Sequence, residues 1–209
     1  MPAMNQTARY GSVSQLLHWT TALLVLILLV TGKAGLVDVD HPGSASFMWH
    51  GSLGVLVFAL VAARFLWRLA SAPPEFPSTM TRLGRIAART MHVSVYALLI
   101  ALPLSGWLAA SSEGSAVNFF NVATLPRWDR AGPAEVRPAA VSQTQGAAEA
   151  GEDFAEEVHE LLGDALIVLV SLHLIAALKH QFIDHDGLMR RMLPAATGPK
   201  SAGSGPVGR

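Results

Sequence analysis

Cysteine is absent from this chain of 209 residues. Its absence excludes disulfides, thiolate-held zinc, iron–sulfur clusters, covalent attachment of a c-type haem and any cysteine nucleophile. Metal chemistry is left to histidine, carboxylate and methionine. Charge is also scarce: Asp, Glu, Lys and Arg make up 14% of the chain, where a soluble protein carries about 25%. The 15 basic and 15 acidic residues cancel, so there is no positive excess to draw the chain to nucleic acid.

Apolar residues are abundant, at 51%, with a mean hydropathy of +0.39. They fall in a few long blocks, so the solvent to consider first is a bilayer. A helix crosses a bilayer with about 20 mainly apolar residues. Four segments meet or approach that length: Leu16–Thr31, His50–Leu69, Met91–Ala110 and Val158–Phe182. Pro103 lies inside the third, and glycines punctuate the second and fourth. Both are costly in a soluble helix but tolerated where neighbouring helices compensate. A cleaved signal peptide is disfavoured for the first segment, because only Arg9 precedes it as a basic residue and no A-x-A site follows. The fold class expected is an all-α membrane protein, a bundle of four transmembrane helices.

The connections sort by charge. Arg9, Arg64, Arg68, Arg82, Arg85, Arg89, Lys179, Arg190, Arg191, Lys200 and Arg209 fall on one side, leaving Lys33, Arg127, Arg130 and Arg137 on the other. The positive-inside rule then places both termini in the cytoplasm. Trp19, Trp49, Trp67 and Trp107 lie near segment ends, where an indole suits the headgroup level. A long outer connection, 111–153, contains an Ala/Gln-rich stretch, Ala139–Ala148, without helical or strand periodicity. That stretch reads as a mobile insertion. The membrane domain is expected over 1–194, followed by a Gly/Pro/Ser-rich, disordered tail at 195–209.

Ionisable residues inside spans are expensive and mark function. His18, His50, His92, His159 and His173 lie in or beside the four segments. By depth four of them form two opposed pairs: His18 and His173 near the cytoplasmic face, His50 and His159 near the outer one. His159 and His173 are 14 residues apart, about 21 Å of helical rise with a net rotation of only about 40°, so both project into a similar sector. Neutral imidazoles from facing helices of a bundle can complete the axial positions of a haem iron. Two such pairs would stack two haems across the membrane. A porphyrin beside its ligating helix needs a small residue one turn on, and Ala22, Gly54, Gly163 and Ala177 stand four residues after the four histidines, whereas bulky Tyr96 follows His92.

The competing reading is that these histidines are polar glue between helices. Paired depth, spacing and small neighbours together favour haem. His92, beside Arg85 and Arg89, suits either a haem propionate or a simple interfacial position. Arg64 and Arg68 suit propionates or the positive-inside bias equally. Lys179 and His180 sit where a quinone headgroup could be met, or where long polar side chains merely reach water. His41 and His185 read as solvent-facing. Asp164 reads as a hydrated or paired carboxylate rather than a proton-handling group, and the Glu156, Glu157, His159, Glu160 group as the end of an acidic loop rather than a metal site.

The ordered run of motifs resembles the bacterial cytochrome b-561 group, related to the membrane cytochrome b subunits of nickel hydrogenases. It comprises Arg9-Tyr10 ahead of Leu17-His18-Trp19, His50-Gly51-Ser52-Leu53-Gly54 leading to Arg64 and Arg68, and Met91-His92-Val93-Ser94-Val95-Tyr96. The Ala101-Leu102-Pro103-Leu104-Ser105-Gly106 run, His159-Glu160-Leu161-Leu162-Gly163 and Leu172-His173 complete it. The match covers roughly Arg9 to Pro194, and departs in the long connection after the third helix. The resemblance implies two haems b, with His18 and His173 as ligands of the inner one and His50 and His159 of the outer one. It also implies electron transfer in the bacterial inner membrane between ubiquinone and a periplasmic donor or acceptor. Superoxide is one candidate for that reactant, and a partner subunit of a larger dehydrogenase or hydrogenase is another. No residue is expected to be catalytic as nucleophile or general base. A rival of another class, a proton or ion transporter relaying through histidines and Asp164, lacks inverted-repeat and broken-helix signals. A purely structural assembly factor offers no reason for the histidine depths.

Overall fold

A computed structural model describes residues 3–6, 9–77, 80–128 and 142–193, except for the side chains of 142–153. Four long helices dominate: α1 (Ser12–Lys33), α2 (Ala45–Ala70), α3 (Arg82–Ser112) and α4 (Ser142–Phe182). A two-stranded antiparallel hairpin, β1 (Asn118–Phe119) and β2 (Ala123–Thr124), follows α3, and a 3-10 turn at Met189–Arg191 follows α4. Each long helix is apolar enough to cross a bilayer, α4 over Phe154–Phe182. The protein is therefore a multi-pass helical membrane protein.

Every helix is longer than its apolar stretch, because hydropathy marks the lipid-crossing part whereas caps set the ends. Ser44 caps α2 by accepting from the Phe47 amide, and Thr81 caps α3 by accepting from the Gly84 amide. The largest difference is at α4. The sequence reads as a connection over 111–153 that is aperiodic at Ala139–Ala148, yet the helix begins at Ser142. Ala, Gln and Glu are strong helix formers, and a helix that is polar all round carries no amphipathic signal. Residues 129–141, which include the start of that supposed mobile insertion, and the expected tail at 195–209 lie outside the described residues.

One end of the bundle carries the start of α1 and the end of α4, and is here called the termini end; the other is the hairpin end. At the termini end the flanking segments are tied together. The Arg9 guanidinium donates to the carbonyls of Arg190 and Leu193, Gln15 donates to those of Arg191 and Leu193, and the Arg191 guanidinium reaches the Glu75 carbonyl. The Asn5 side chain donates to the carbonyls of Ser71 and Ala72. Gly11 makes this clasp possible, since a Cβ there would lie 2.2 Å from the Ala3 carbonyl oxygen. Three of the four interfacial indoles donate hydrogen bonds to other segments: Trp19 to the Met192 carbonyl, Trp67 to the Ser14 hydroxyl and Trp107 to the Pro126 carbonyl. Trp49 packs edge-on against Phe120 of the hairpin.

The buried core is a narrow waist of aliphatic side chains from all four helices: Val25, Val57, Val61, Leu99 and Leu166. Val25, Val57 and Leu166 each stand one heptad after a histidine, at 18 to 25, 50 to 57 and 159 to 166. Seven residues are two helical turns, about 10 Å. The waist therefore lies between two layers of histidine. Packing around it is unequal: α4 lies along α3, and α2 lies against both α1 and α3, while α4 stands off from α1 and α2 among the described residues.

Candidate cofactor-binding site

Two imidazole pairs bridge the gap between α4 and its opposite neighbours. Toward the termini end, the His18 ring of α1 faces the His173 ring of α4 with centroids 6.5 Å apart and planes at 74°. Toward the hairpin end, His50 of α2 faces His159 of α4 at 6.3 Å and 79°. Imidazole nitrogen binds a metal at about 2 Å and lies about 1.15 Å from the ring centre, so two imidazoles on opposite sides of one metal have centroids about 6.3 Å apart. Both pairs fit that spacing. His92 of α3 is nearer to His173, at 5.6 Å, and its Nδ1 is hydrogen-bonded to the Ala88 carbonyl at 2.6 Å. That separation is shorter than two imidazoles on opposite sides of one metal require.

Hydrogen bonding separates ligands from glue. Histidines that join helices by polar contacts should have bonded ring nitrogens. Instead, the Nδ1 atoms of His18 and His50 are buried without a partner. Leaving a buried polar atom unpaired costs roughly 1–3 kcal/mol, so these rings are placed for something other than each other. His159 is the exception within the pairs: its Nδ1 lies 3.1 Å from the Leu102 carbonyl and 3.0 Å from the Ser105 hydroxyl.

The hairpin-end pair opens into a cavity of about 420 Å³. Its lining is mainly apolar, including Leu28, Leu99, Leu102 and Ile167, with His50 facing His159, Gly54 and Gly163 in its walls, and Lys33, Glu113, Glu156 and Glu160 as the charged members. A Cβ added at either glycine would meet no atom within 4 Å, so both leave open space beside the rings. The volume and apolar lining suit a flat organic cofactor. Gly106 contributes in a different way: a Cβ there would lie 2.9 Å from Cε1 of His159, and its absence lets the imidazole rest on the α3 backbone. Sequence reasoning missed Ser105 and Gly106 as site residues, although both sit in the motif run after Pro103.

At the mouth of this cavity the Lys33 ammonium pairs with Asp164 at 2.6 Å, linking α1 to α4. Asp164 is thus a paired carboxylate, as the sequence suggested. At the termini end Arg64, Arg68 and His92 share a small cavity of about 40 Å³ with Tyr10 and Tyr96. The Arg64 guanidinium lies over the Tyr96 ring, 5.6 Å from its centre. Ala22 and Ala177 are half-buried on α1 and α4. The polar ends of Lys179 and His180 are turned onto the segment after α4. Lys179 bonds Asp184, and His180 lies 2.7 Å from Asp186 and 3.2 Å from Asp184. The Lys179 hydrogen bond holds the Asp184 carboxyl below the ordinary carboxylate range. His41 is exposed and pairs with Asp38, whose carboxylate raises its pKa.

Comparison with known proteins matches this chain over residues 9–195 to the family described as prokaryotic cytochrome b561. Cytochrome b561 homolog 2 of Escherichia coli (strain K12) is 31% identical over 195 residues, covering 92% of this chain and 95% of that protein. Cytochrome b561 homolog 1 of the same organism is 24% identical, covering 89% and 97%. A protein of Yersinia pestis described as probable superoxide oxidase CybB is 25% identical, covering 91% and 98%.

Proposed function

The chain belongs to the prokaryotic cytochrome b561 family of membrane electron-transfer proteins, and from that membership we propose that it is a dihaem cytochrome b. In this reading it carries electrons between the quinone pool and a reactant at the outer face of the bacterial inner membrane. The observation that carries it is the pair of facing imidazole couples, each at metal-bridging separation, on opposite sides of an aliphatic waist. His18 and His173 would hold one haem b and His50 and His159 the other. When bound, haem supplies one-electron redox chemistry. The protein's own contribution is holding, orienting and insulating.

The side chains divide that work by position. The aliphatic lining of the larger cavity excludes water, and Gly54 and Gly163 leave room beside the imidazoles. Ala22 and Ala177 do the same for the other pair. Arg64, Arg68 and His92 offer positive or hydrogen-bonding groups to propionates at the termini end. Charge sorting of the loops makes that end cytoplasmic and the hairpin end periplasmic. Residues 1–194 then form the membrane domain and 195–209 a cytoplasmic tail. Quinone is assigned to the cytoplasmic side, where Lys179 and His180 could donate to a quinone oxygen only after releasing Asp184 and Asp186. The description of the Yersinia relative makes superoxide one candidate for the outer reactant. A partner subunit of a larger dehydrogenase is the other.

The test is a pyridine haemochrome count and reduced-minus-oxidised spectrum of the detergent-purified protein. Two haems b per chain are expected, falling to one in each of His18→Ala, His50→Ala, His159→Ala and His173→Ala, and remaining two in His92→Ala. A colourless protein after expression with ample haem would overturn the reading. Quinone reduction by the purified chain supplied with superoxide would identify that reactant, whereas strict dependence on a co-purifying subunit would identify the other.

A further inference from the structure

Of the four histidines in the facing pairs, only His159 has a hydrogen bond to a ring nitrogen among the described residues. Its partners are all on α3. The Ser105 hydroxyl donates to the Leu102 carbonyl at 2.9 Å, and both oxygens lie about one hydrogen-bond length from Nδ1 of His159, at 3.0 and 3.1 Å. A carbonyl can only accept, so the contact to Leu102 requires the proton on Nδ1. The Ser105 hydroxyl spends its own proton on the same carbonyl and is left to accept from Nδ1 as well. The tautomer of His159 is thereby fixed, with the lone pair on Nε2. Gly106 completes the arrangement by steric means, because any side chain there would displace the ring from both oxygens.

We propose that Ser105 and Gly106 are positioning residues for His159: they lock its tautomer and rotation so that Nε2 is presented toward His50, and they make the hairpin-end site electronically unlike the other. This rests on the reading of His50 and His159 as haem ligands. A ligating imidazole that donates its second N–H is a more basic ligand, and loss of such a partner costs about 10–100-fold in metal affinity or activity. A more basic ligand stabilises the oxidised metal, so the Ser105 contact lowers the reduction potential of its own site. His18, His50 and His173 have no such partner among the described residues. Among the described residues the termini-end site lacks this device, so the two sites differ by construction although each would use two histidines.

The experiment measures haem per chain and midpoint potentials in the full-length purified protein carrying Ser105→Ala, Ser105→Thr, Gly106→Ala or His159→Ala. His159→Ala identifies which spectral component belongs to this site. Ser105→Ala is expected to raise that component's potential, by up to a tenfold change in its reduction equilibrium (~59 mV for one electron), while the other component stays fixed. Ser105→Thr, which keeps the hydroxyl, should restore the original value. Gly106→Ala should lose this haem and keep the other, whose retention shows that the bundle is folded. A purely structural role for Ser105 would change thermal stability without moving one potential selectively. Unchanged potentials in Ser105→Ala together with two haems in Gly106→Ala would overturn the inference while leaving the ligand assignment intact. Two haems in His159→Ala would overturn the ligand assignment itself.

Discussion

Gly163 and Gly54 show how much a single missing side chain can decide. Neither adopts a backbone conformation that requires glycine, and neither packs against a neighbour. What each supplies is empty space in the wall of the cavity that holds His50 and His159. Replacing Gly163 by Leu should fill that space, lower the haem count from two to one and leave the termini-end component of the spectrum unchanged. A haemochrome count checks it, and retention of two haems would show that the open wall is not where the cofactor lies. These glycines were legible in the sequence, because one helical turn separates each from a histidine on its own helix. Ser105 and Gly106 were not: they act on a residue more than fifty positions away on another helix, and local spacing carries no information about which helix will lie alongside. Only their place just after Pro103, small residues where a neighbouring helix can come close, hinted at a contact.

At the scale of elements, the apolar cores of the four helices could be read directly, since about 20 residues of lipid thickness leave a long unbroken signal. Their ends could not, because a cap such as Ser44 or Thr81 is one residue whose meaning depends on backbone geometry. The short β1–β2 hairpin is equally silent, as two-residue strands have no period. Ser44 gives a direct check: Ser44→Ala removes the acceptor for the Phe47 amide and should destabilise the start of α2 by about 1 kcal/mol, read as a fall in unfolding midpoint with the haem count unchanged. After α4, the Lys179–Asp184 ion pair holds the following segment. The Asp184 carboxyl titrates below its ordinary value in the folded chain. Its contribution is therefore fully present above the unfolded pKa and is lost as pH falls through the lower folded value. Amide exchange at residues 183–193 should accelerate in that acid range and be accelerated at neutral pH in Asp184→Asn.

Taken as a whole, the molecule is joined along α1–α2–α3–α4 and open where α4 faces α1 and α2. Outside the aliphatic waist, the histidine pairs and the Lys33–Asp164 pair at the rim span this opening among the described residues, and Gln15 and Trp19 of α1 bond the segment that follows α4. A ligand that binds only the folded chain stabilises it by about 2.7 kcal/mol at a hundredfold excess over its dissociation constant. Removing haem should therefore lower the melting temperature, and more steeply in Lys33→Ala, where the rim of the opening has lost its tie. Thermal unfolding of haem-loaded and haem-depleted protein checks this, and equal melting temperatures would mean that the gap is closed by protein contacts alone.

In the two-haem proposal, one feature of α4 would bear on the rate at which charge crosses the membrane. His159 and His173 belong to the same uninterrupted helix, which runs from Ser142 to Phe182, so about 21 Å of axial rise separates them. Electron tunnelling falls steeply with distance, and a pathway assembled from independently moving parts would fluctuate with every tilt of the bundle. Here a single rod acts as a gauge. Were each of these histidines to hold a haem as proposed, the interval between the two would be written into one helix rather than into the packing of several.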